Sequence, residues 1–153
     1  MDVIFDIDGT LLNIQHRVHH LHKIPPDWQS FNANMEGDSP IQEMVEVLHI
    51  LGNVKTNRLI FCSGRSEESR FITEKQIKSL LSPISNKENS KTINLYLRSE
   101  GDLREDYVIK SELYDQMLLD GFKPTIVFED RSSVVEMWRA RGIRCLQVEN
   151  ANF

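Results

Sequence analysis

Within the first ten residues an apolar run, Val3-Ile4-Phe5, gives way to Asp6-Ile7-Asp8-Gly9-Thr10. The run is too short and too rich in β-branched and aromatic side chains for an independent helix. It also stops at a Gly-Thr turn, which predicts a strand buried in a parallel sheet. Two carboxylates then lie two residues apart where the chain leaves the strand. In extended backbone residues i and i+2 share a face; with the chain turning into a loop, one carboxylate stays toward a ligand while the other reaches round it. Such a pair can serve one substrate as nucleophile and general acid/base. An acidic turn that merely closes a strand is the plain alternative, and three further elements downstream argue against it.

A chain of 153 residues with 40% hydrophobic content suffices for one α/β domain and not for two, so residues 1–153 are expected to form a single unit. The net charge of -5 and a pI near 5.5 exclude a strongly electropositive nucleic-acid clamp. A polyanionic partner must then be met by local positive groups or by a metal. Cys62 and Cys145 both sit in apolar strand-like runs and read as buried small hydrophobes, not as a disulfide or a metal pair. No apolar stretch is long enough to span a bilayer, and a strand starting at Asp2 leaves no room for a signal peptide. A soluble, cytoplasmic protein with no membrane partner is expected.

Residues 13–38 are polar, rich in histidine and interrupted by Pro25-Pro26, with Trp28 and Phe31 as the large apolar anchors; they read as a small cap or substrate segment inserted after the first strand. A helix is predicted from Ser39 as N-cap, with Pro40 at its first position and an apolar stripe through Ile41, Met44, Val45, Leu48 and Leu51 ending at Gly52. Leu59–Cys62 reads as the second strand, followed by the turn Ser63-Gly64-Arg65 and a helix over residues 67–81. Residues 82–92 read as a surface loop. Strands are predicted at Ile93–Leu97, Thr125–Phe128 and Cys145–Val148. Helices precede the last two, one capped by Asp106 and ending at Gly121, the other starting at Ser132 or Ser133 and ending at Gly142. This alternation predicts an α/β fold, a doubly wound, Rossmann-like parallel five-stranded sheet with helices on both faces. Ligands of such sheets bind beyond the carboxyl ends of the strands, where Asp6, Ser63 and Asp130 all fall.

Asp6-Ile7-Asp8-Gly9-Thr10 after a hydrophobic strand resembles the first motif of the haloacid dehalogenase-like phosphohydrolases. Phe61-Cys62-Ser63-Gly64 resembles the second, in which a hydroxyl and a helix N-terminus meet a phosphate oxygen. Lys110 matches the third-motif lysine and Glu129-Asp130-Arg131 the acidic fourth motif, although that motif is usually Asp-Asp. The resemblance implies Asp6 as the nucleophile that forms an aspartyl-phosphate and Asp8 as the acid/base for leaving alcohol and attacking water. Two carboxylates facing a dianionic phosphate repel it, so a hard divalent cation is required, and oxygen donors of this kind suit Mg²⁺. Asp6, the backbone carbonyl of Asp8, and Asp130 are assigned to it, with Glu129 beside them directly or through water.

From Gly101-Asp102 to Phe153 the match sharpens. Gly101-Asp102-Leu103-Arg104-Glu105-Asp106-Tyr107-Val108-Ile109-Lys110 and Glu129-Asp130-Arg131-Ser132-Ser133-Val134-Val135-Glu136-Met137-Trp138-Arg139 resemble the 3'-phosphatase domain of phage polynucleotide kinase-phosphatase. That resemblance implies metal-dependent removal of 3'-terminal phosphate from DNA or RNA ends and from some nucleotides. Its essential arginines fall on Arg17 and Arg65, its further acidic residue on Asp106. An arginine fork suits phosphate oxygens; Asp106 orients Lys110 or Arg65, or simply caps its helix. No Gly-x-x-x-x-Gly-Lys-Ser/Thr loop occurs, so a kinase or ligase is expected in trans if at all. His16, His19, His20 and His22 read as lining the mouth near Arg17, where they would help attract phosphate, in preference to a metal cluster. Trp28 and Phe31 read as anchors of the cap, with stacking of a base as the other possibility. A small-nucleotide phosphatase and a non-catalytic sensor of phosphorylated ends are the competing functional readings.

Overall fold

Hydrophobic runs alternating with amphipathic helical stretches build a five-stranded, wholly parallel sheet in a computed structural model that describes residues 1–151. Asn152 and Phe153, the end of the stretch that resembles the phage domain, lie outside the described residues. In chain order the strands are β1 (Asp2–Phe5), the two-residue β2 (Leu12–Asn13) and β3 (Ser39–Pro40), β4 (Arg58–Ser66), β5 (Asn94–Arg98), β6 (Pro124–Arg131) and β7 (Arg144–Ala151). The helices are α1 (Gln15–Val18), α2 (Trp28–Ala33), α3 (Gln42–Asn53), α4 (Arg70–Leu81), α5 (Lys87–Lys91), α6 (Asp106–Leu119) and α7 (Ser132–Ala140). The main sheet runs β5-β4-β1-β6-β7, so the chain leaves β1 toward β4 on one side and returns to β6 on the other. The strand order therefore reverses at β1, and the crevice beyond its carboxyl end is where ligands of such sheets bind.

Successive residues of each strand point to opposite faces, and both faces are covered. Val3, Phe5, Leu59, Phe61, Leu95 and Leu97 pack with Val45 and Leu48 of α3 and Ile77, Leu80 and Leu81 of α4. Ile4, Ile60, Cys62, Val127 and Cys145 pack with Met117 of α6 and Val134, Val135 and Trp138 of α7. The rings of Phe5 and Phe128 stack at 4.8 Å between centroids. Cys62 and Cys145 are free and buried, and burial pushes the Cys62 thiol up to about 12, which leaves it inert.

The elements depart from the sequence expectations where tertiary pairing overrides local signals. Ser39 and Pro40 do not start a helix: they pair antiparallel with Asn13 and Leu12 at the base of the cap, and Ile41 N–H donates to Leu11 O at 2.9 Å. Helix α3 begins only at Gln42, with the expected Val45 and Leu48 buried. The helix foreseen over 67–81 opens with a 3-10 turn, Glu67–Ser69, before α4. Residues 82–92 are not merely a surface loop, because they contain α5 and the buried Asn89. The Asn89 side chain donates to Gly52 O (2.8 Å) and Asn57 O (3.0 Å) and accepts from Leu59 N–H (3.1 Å), tying this segment to the start of β4. Strands β4 and β6 run past their expected ends at Cys62 and Phe128, beyond register irregularities at Ser63/Ser66 and Glu129/Arg131. Inside the cap, Ile14, Val18 and Phe31 form a small separate cluster with Leu21. No helix among the described residues is long and apolar enough to cross a membrane.

Candidate active site

The floor of the crevice is assembled from β1, β6 and α6. As β1 ends, Asp6 N–H still donates to Phe128 O at 3.0 Å, and the loop then curls on itself with Leu11 and Leu12 N–H donating to Ile7 O, both at 2.9 Å. The curl brings Thr10 Oγ1 to Asp6 Oδ2 at 2.9 Å, so the motif threonine fixes the first aspartate. Lys110, one turn into α6, donates to Asp6 Oδ1 and to Glu129 Oε2, each at 2.7 Å. Glu129 Oε1 accepts from Asp130 N–H and Arg131 N–H, which fixes the second acid at the end of β6.

Two buried carboxylates thus hold one ammonium, and a third, Asp130, lies beside them. Carboxylate oxygens of Asp6, Glu129 and Asp130 lie within 4.8 Å of one another, and Asp130 Oδ2 is buried without a hydrogen-bond partner. Gly9 makes this approach possible: it has φ +84°, and a Cβ there would lie 2.1 Å from Asp130 Oδ2. Burial and repulsion by Glu129, opposed by Lys110, push Asp6 up to about 7. Burial and the charges of Asp6 and Glu129 push Asp130 up to about 9. For Lys110 burial acts downward, but Asp6 and Glu129 outweigh it and hold the ammonium well above its ordinary range. A buried carboxylate oxygen without a partner costs free energy that a hard cation relieves, and an all-oxygen donor set fits Mg²⁺.

Beside the floor stands a second assembly, which joins cap to core. Arg65, at the end of β4, places Nη2 on Asp8 Oδ1 (2.6 Å) and Asp38 Oδ2 (2.8 Å), and Nη1 on Thr73 Oγ1 (3.0 Å) and Gln76 Oε1 (2.7 Å). Arg17 is fully buried; its Nε donates to Asp38 Oδ1 (2.7 Å), its Nη2 to Asp38 Oδ2 (2.8 Å) and Asp8 Oδ1 (3.0 Å). The Arg17 guanidinium lies 4.2 Å over the ring of Phe31. Burial alone would raise Asp8, but Arg65 and Arg17 outweigh it and hold this carboxyl below its ordinary range. A cavity of about 560 Å³ opens over both assemblies and is lined by Asp6, Asp8, Ser63, Arg65, Lys110 and Asp130, among others.

The expected residues therefore gather at one crevice, with several changes of partner. Arg17 and Arg65 do not present open forks; they grip Asp8 and Asp38, because buried guanidiniums need carboxylate partners. Asp106 neither caps its helix nor touches Lys110 or Arg65. Glu105 occupies the cap position, and Asp106 pairs with Arg98 and Arg131. Gly64 is required there, since a Cβ would lie 2.6 Å from Asp106 Oδ1. Ser63 is buried in the cavity wall, where its Oγ accepts from Arg65 N–H at 3.2 Å. The Asp8 carboxylate stands apart from the acidic cluster of the floor. The histidines do not line the cavity: His16 Nε2 meets Asp38 Oδ1 at 2.8 Å, and the helix tightens to a 3-10 turn over His19–His22. Asp38, Arg98 and Arg131 were not foreseen as site residues. The motif turns announce Arg131, next to Asp130, but nothing local marks Asp38.

A doubly wound sheet with paired aspartates after its central strand, a lysine and a second acidic turn define a haloacid dehalogenase-like phosphatase domain. The model of one such family, the polynucleotide kinase PNKP phosphatase domain, matches residues 1–153, and the chain belongs to that family. A protein of Autographa californica nuclear polyhedrosis virus, provisionally named a bifunctional polynucleotide kinase/RNA ligase, is 24% identical over 137 residues, covering 90% of this chain and 17% of the relative. Two solved structures, of a Pnkp1/Rnl/Hen1 complex and of the Pnkp1/Rnl/Hen1 RNA repair complex, match with TM-scores of 0.74 and 0.76 at 26% and 25% identity. Each match covers 99% of this chain, and 47% and 43% respectively of the matched chains. A haloacid dehalogenase-like hydrolase from Streptococcus pneumoniae shares the fold, with TM-score 0.56 and 10% identity over 95% of this chain and 83% of that one. The chain spans less than half the length of the polynucleotide-processing relatives it matches.

Proposed function

We propose that this chain is a Mg²⁺-dependent phosphomonoesterase that removes the 3'-terminal phosphate of a polynucleotide end through an aspartyl-phosphate. The observation that carries this reading is the meeting of Asp6, Lys110, Glu129 and the unpartnered Asp130 Oδ2 in one buried cluster that opens into the cavity.

Asp6 attacks phosphorus, and its carboxylate is held for that role by Thr10 and Lys110. Ser63 receives a phosphate oxygen, while Lys110 neutralises charge that builds on nucleophile and phosphoryl group. Asp8 carries the two proton transfers, to the leaving sugar oxygen and from the attacking water; because Arg65 and Arg17 hold it ionised, it takes up the first proton only once the bound phosphate has drawn these guanidiniums away. Arg17 and Arg65 fix the Asp8 carboxylate, and Asp106 sets Arg98 and Arg131 at the rim. A bound Mg²⁺ would be held by Asp6, Asp130 and the Asp8 backbone carbonyl, with Glu129 beside them, and would relieve repulsion between these acids and a dianionic substrate.

The nucleic-acid substrate is favoured by the relatives named for polynucleotide kinase/RNA ligase and for RNA repair. The same relatives favour a kinase or ligase acting with this chain. The net charge of -5 favours the competing small-nucleotide substrate. A panel of 3'-phosphorylated oligonucleotide, 3'-mononucleotide and 5'-mononucleotide, with and without chelator, separates the two. The expected result is chelator-sensitive turnover greatest on the oligonucleotide; equal or faster turnover of the 5'-mononucleotide would overturn it. Asp6→Asn removes both turnover and trapping of labelled phosphoenzyme, and label recovered on another residue would remove Asp6 from its role.

A further inference from the structure

We propose that Trp28 is the stacking platform for the base of the nucleotide that carries the phosphate, an inference that rests on the polynucleotide reading and specifies how the end is held. The cavity has two kinds of wall. Beside the acids, arginines and lysine already described stand Ile14, Leu21, Trp28, Phe31 and Met35. A phosphoryl group alone gives no reason for such a wall, whereas a base does. The volume of about 560 Å³ exceeds what a phosphate needs and falls in the range of small-molecule sites.

The two cap aromatics divide the work. Phe31, 7% exposed, anchors the cap: it packs with Ile14 and Val18 and lies under Arg17. Trp28 meets Phe31 edge to face at 5.8 Å, yet 57% of it stays exposed, whereas Trp138, the other tryptophan, is fully buried. The helix start that carries it is held in place. Asp27 Oδ1 caps α2 by accepting from Ser30 N–H at 3.0 Å, and Lys23 Nζ holds Asp27 Oδ2 at 3.0 Å. An exposed indole in the wall of a phosphate-processing cavity offers an aromatic face to any base, so stacking is tolerant of sequence. Phe31, which Trp28 meets, lies under Arg17, and Arg17 donates to Asp8, so the platform adjoins the catalytic groups. The preferred substrate is accordingly an unpaired end, whose terminal base is free to leave its own stack.

The test compares two oligonucleotides that differ only in whether the 3'-phosphorylated terminal nucleoside has its base or is abasic. The parent protein should favour the base-bearing end by about ten- to a hundredfold in kcat/KM, most of it in KM. Trp28→Ala should bring that ratio close to one, and Trp28→Phe should keep most of it. In an Asp6→Asn background the base-bearing oligonucleotide should quench tryptophan fluorescence, and the additional change Trp28→Phe should abolish the quenching. A parent that processes both ends equally, or a Trp28→Ala ratio unchanged from the parent, would overturn the stacking role while leaving the polynucleotide reading intact. Failure of the parent on both oligonucleotides alongside rapid turnover of mononucleotides would remove that reading and the platform with it.

Discussion

Asp6 and Asp8 are the same residue type two positions apart, yet the regions they belong to are electrically opposite. On the floor, Asp6 and Glu129 share one ammonium with Asp130 beside them unpaired, and both Asp6 and Asp130 are pushed up, by burial and by the neighbouring carboxylates. In the clamp, two guanidiniums meet Asp8 and Asp38, and Asp8 is held down. Burial disfavours charge in both; the local count of opposite charges decides which way each acid moves. The floor is short of positive charge and suited to take in a cation. The clamp is neutral as it stands and holds the cap against the core.

The largest effect that sharpens this contrast is expected at Asp38. Asp38→Ala leaves two buried guanidiniums short of a partner and should destabilise the fold by about 3–5 kcal/mol in urea unfolding. A loss as small as that of a surface substitution would show that the clamp is not structural. Next comes Lys110→Met, which removes the floor's cation. It should lower kcat by about 10²–10³-fold, with substrate binding less affected; an effect confined to KM would move Lys110 out of the reacting centre.

The pH dependence of stability comes third, and its sign differs between the regions. Asp6 and Asp130 titrate above their ordinary value of 3.8, so the folded protein binds their protons more tightly than the unfolded chain does. Their contribution is present at low pH and lost as pH rises through about 7 and about 9. Asp8 works the other way, stabilising above the ordinary carboxylate range and losing its contribution in acid. Metal-free protein should therefore melt about 4 °C or more lower at pH 9.5 than at pH 5.5, and Mg²⁺ should restore most of the difference at the higher pH. A melting temperature that rises over this interval without metal would contradict the floor's charge balance. The smallest effect is expected outside both regions: Arg104→Ala breaks an exposed pairing with Asp102 and Glu112 and should leave the urea midpoint where it was.

The sheet was legible because each of its strands carries a short apolar run that both covered faces require, and the floor because its acids directly follow those runs. Strand ends were misjudged for the same reason. Polar residues such as Ser63 and Glu129 look like loop, yet the backbone stays extended while it delivers them to the crevice. Ser39-Pro40 carries a sound local helix-start signal, and the pairing with Leu12-Asn13 overrides it. Nothing in the sequence marks Asp38, because it sits in a segment without apolar periodicity and its partners, Arg17 and Arg65, lie 21 and 27 residues away. Local sequence offers Asp106 as a cap or as a partner of Lys110 or Arg65; its proximity to Arg98 and Arg131 is a tertiary fact that spacing does not encode.

Strand β1 does not pair with β2, the strand that follows it in sequence: Asp2 is registered with Arg58 on one side and Pro124 on the other. The catalytic turn is therefore hung from a strand whose own hydrogen bonds must wait for two distant partners. Such non-local closure is slow compared with helix formation, so the aspartates reach their neighbours only when the central sheet has come together. Catalytic competence should thus appear late during refolding, and recovery of activity is a stricter gauge of a finished fold than recovery of helical circular dichroism.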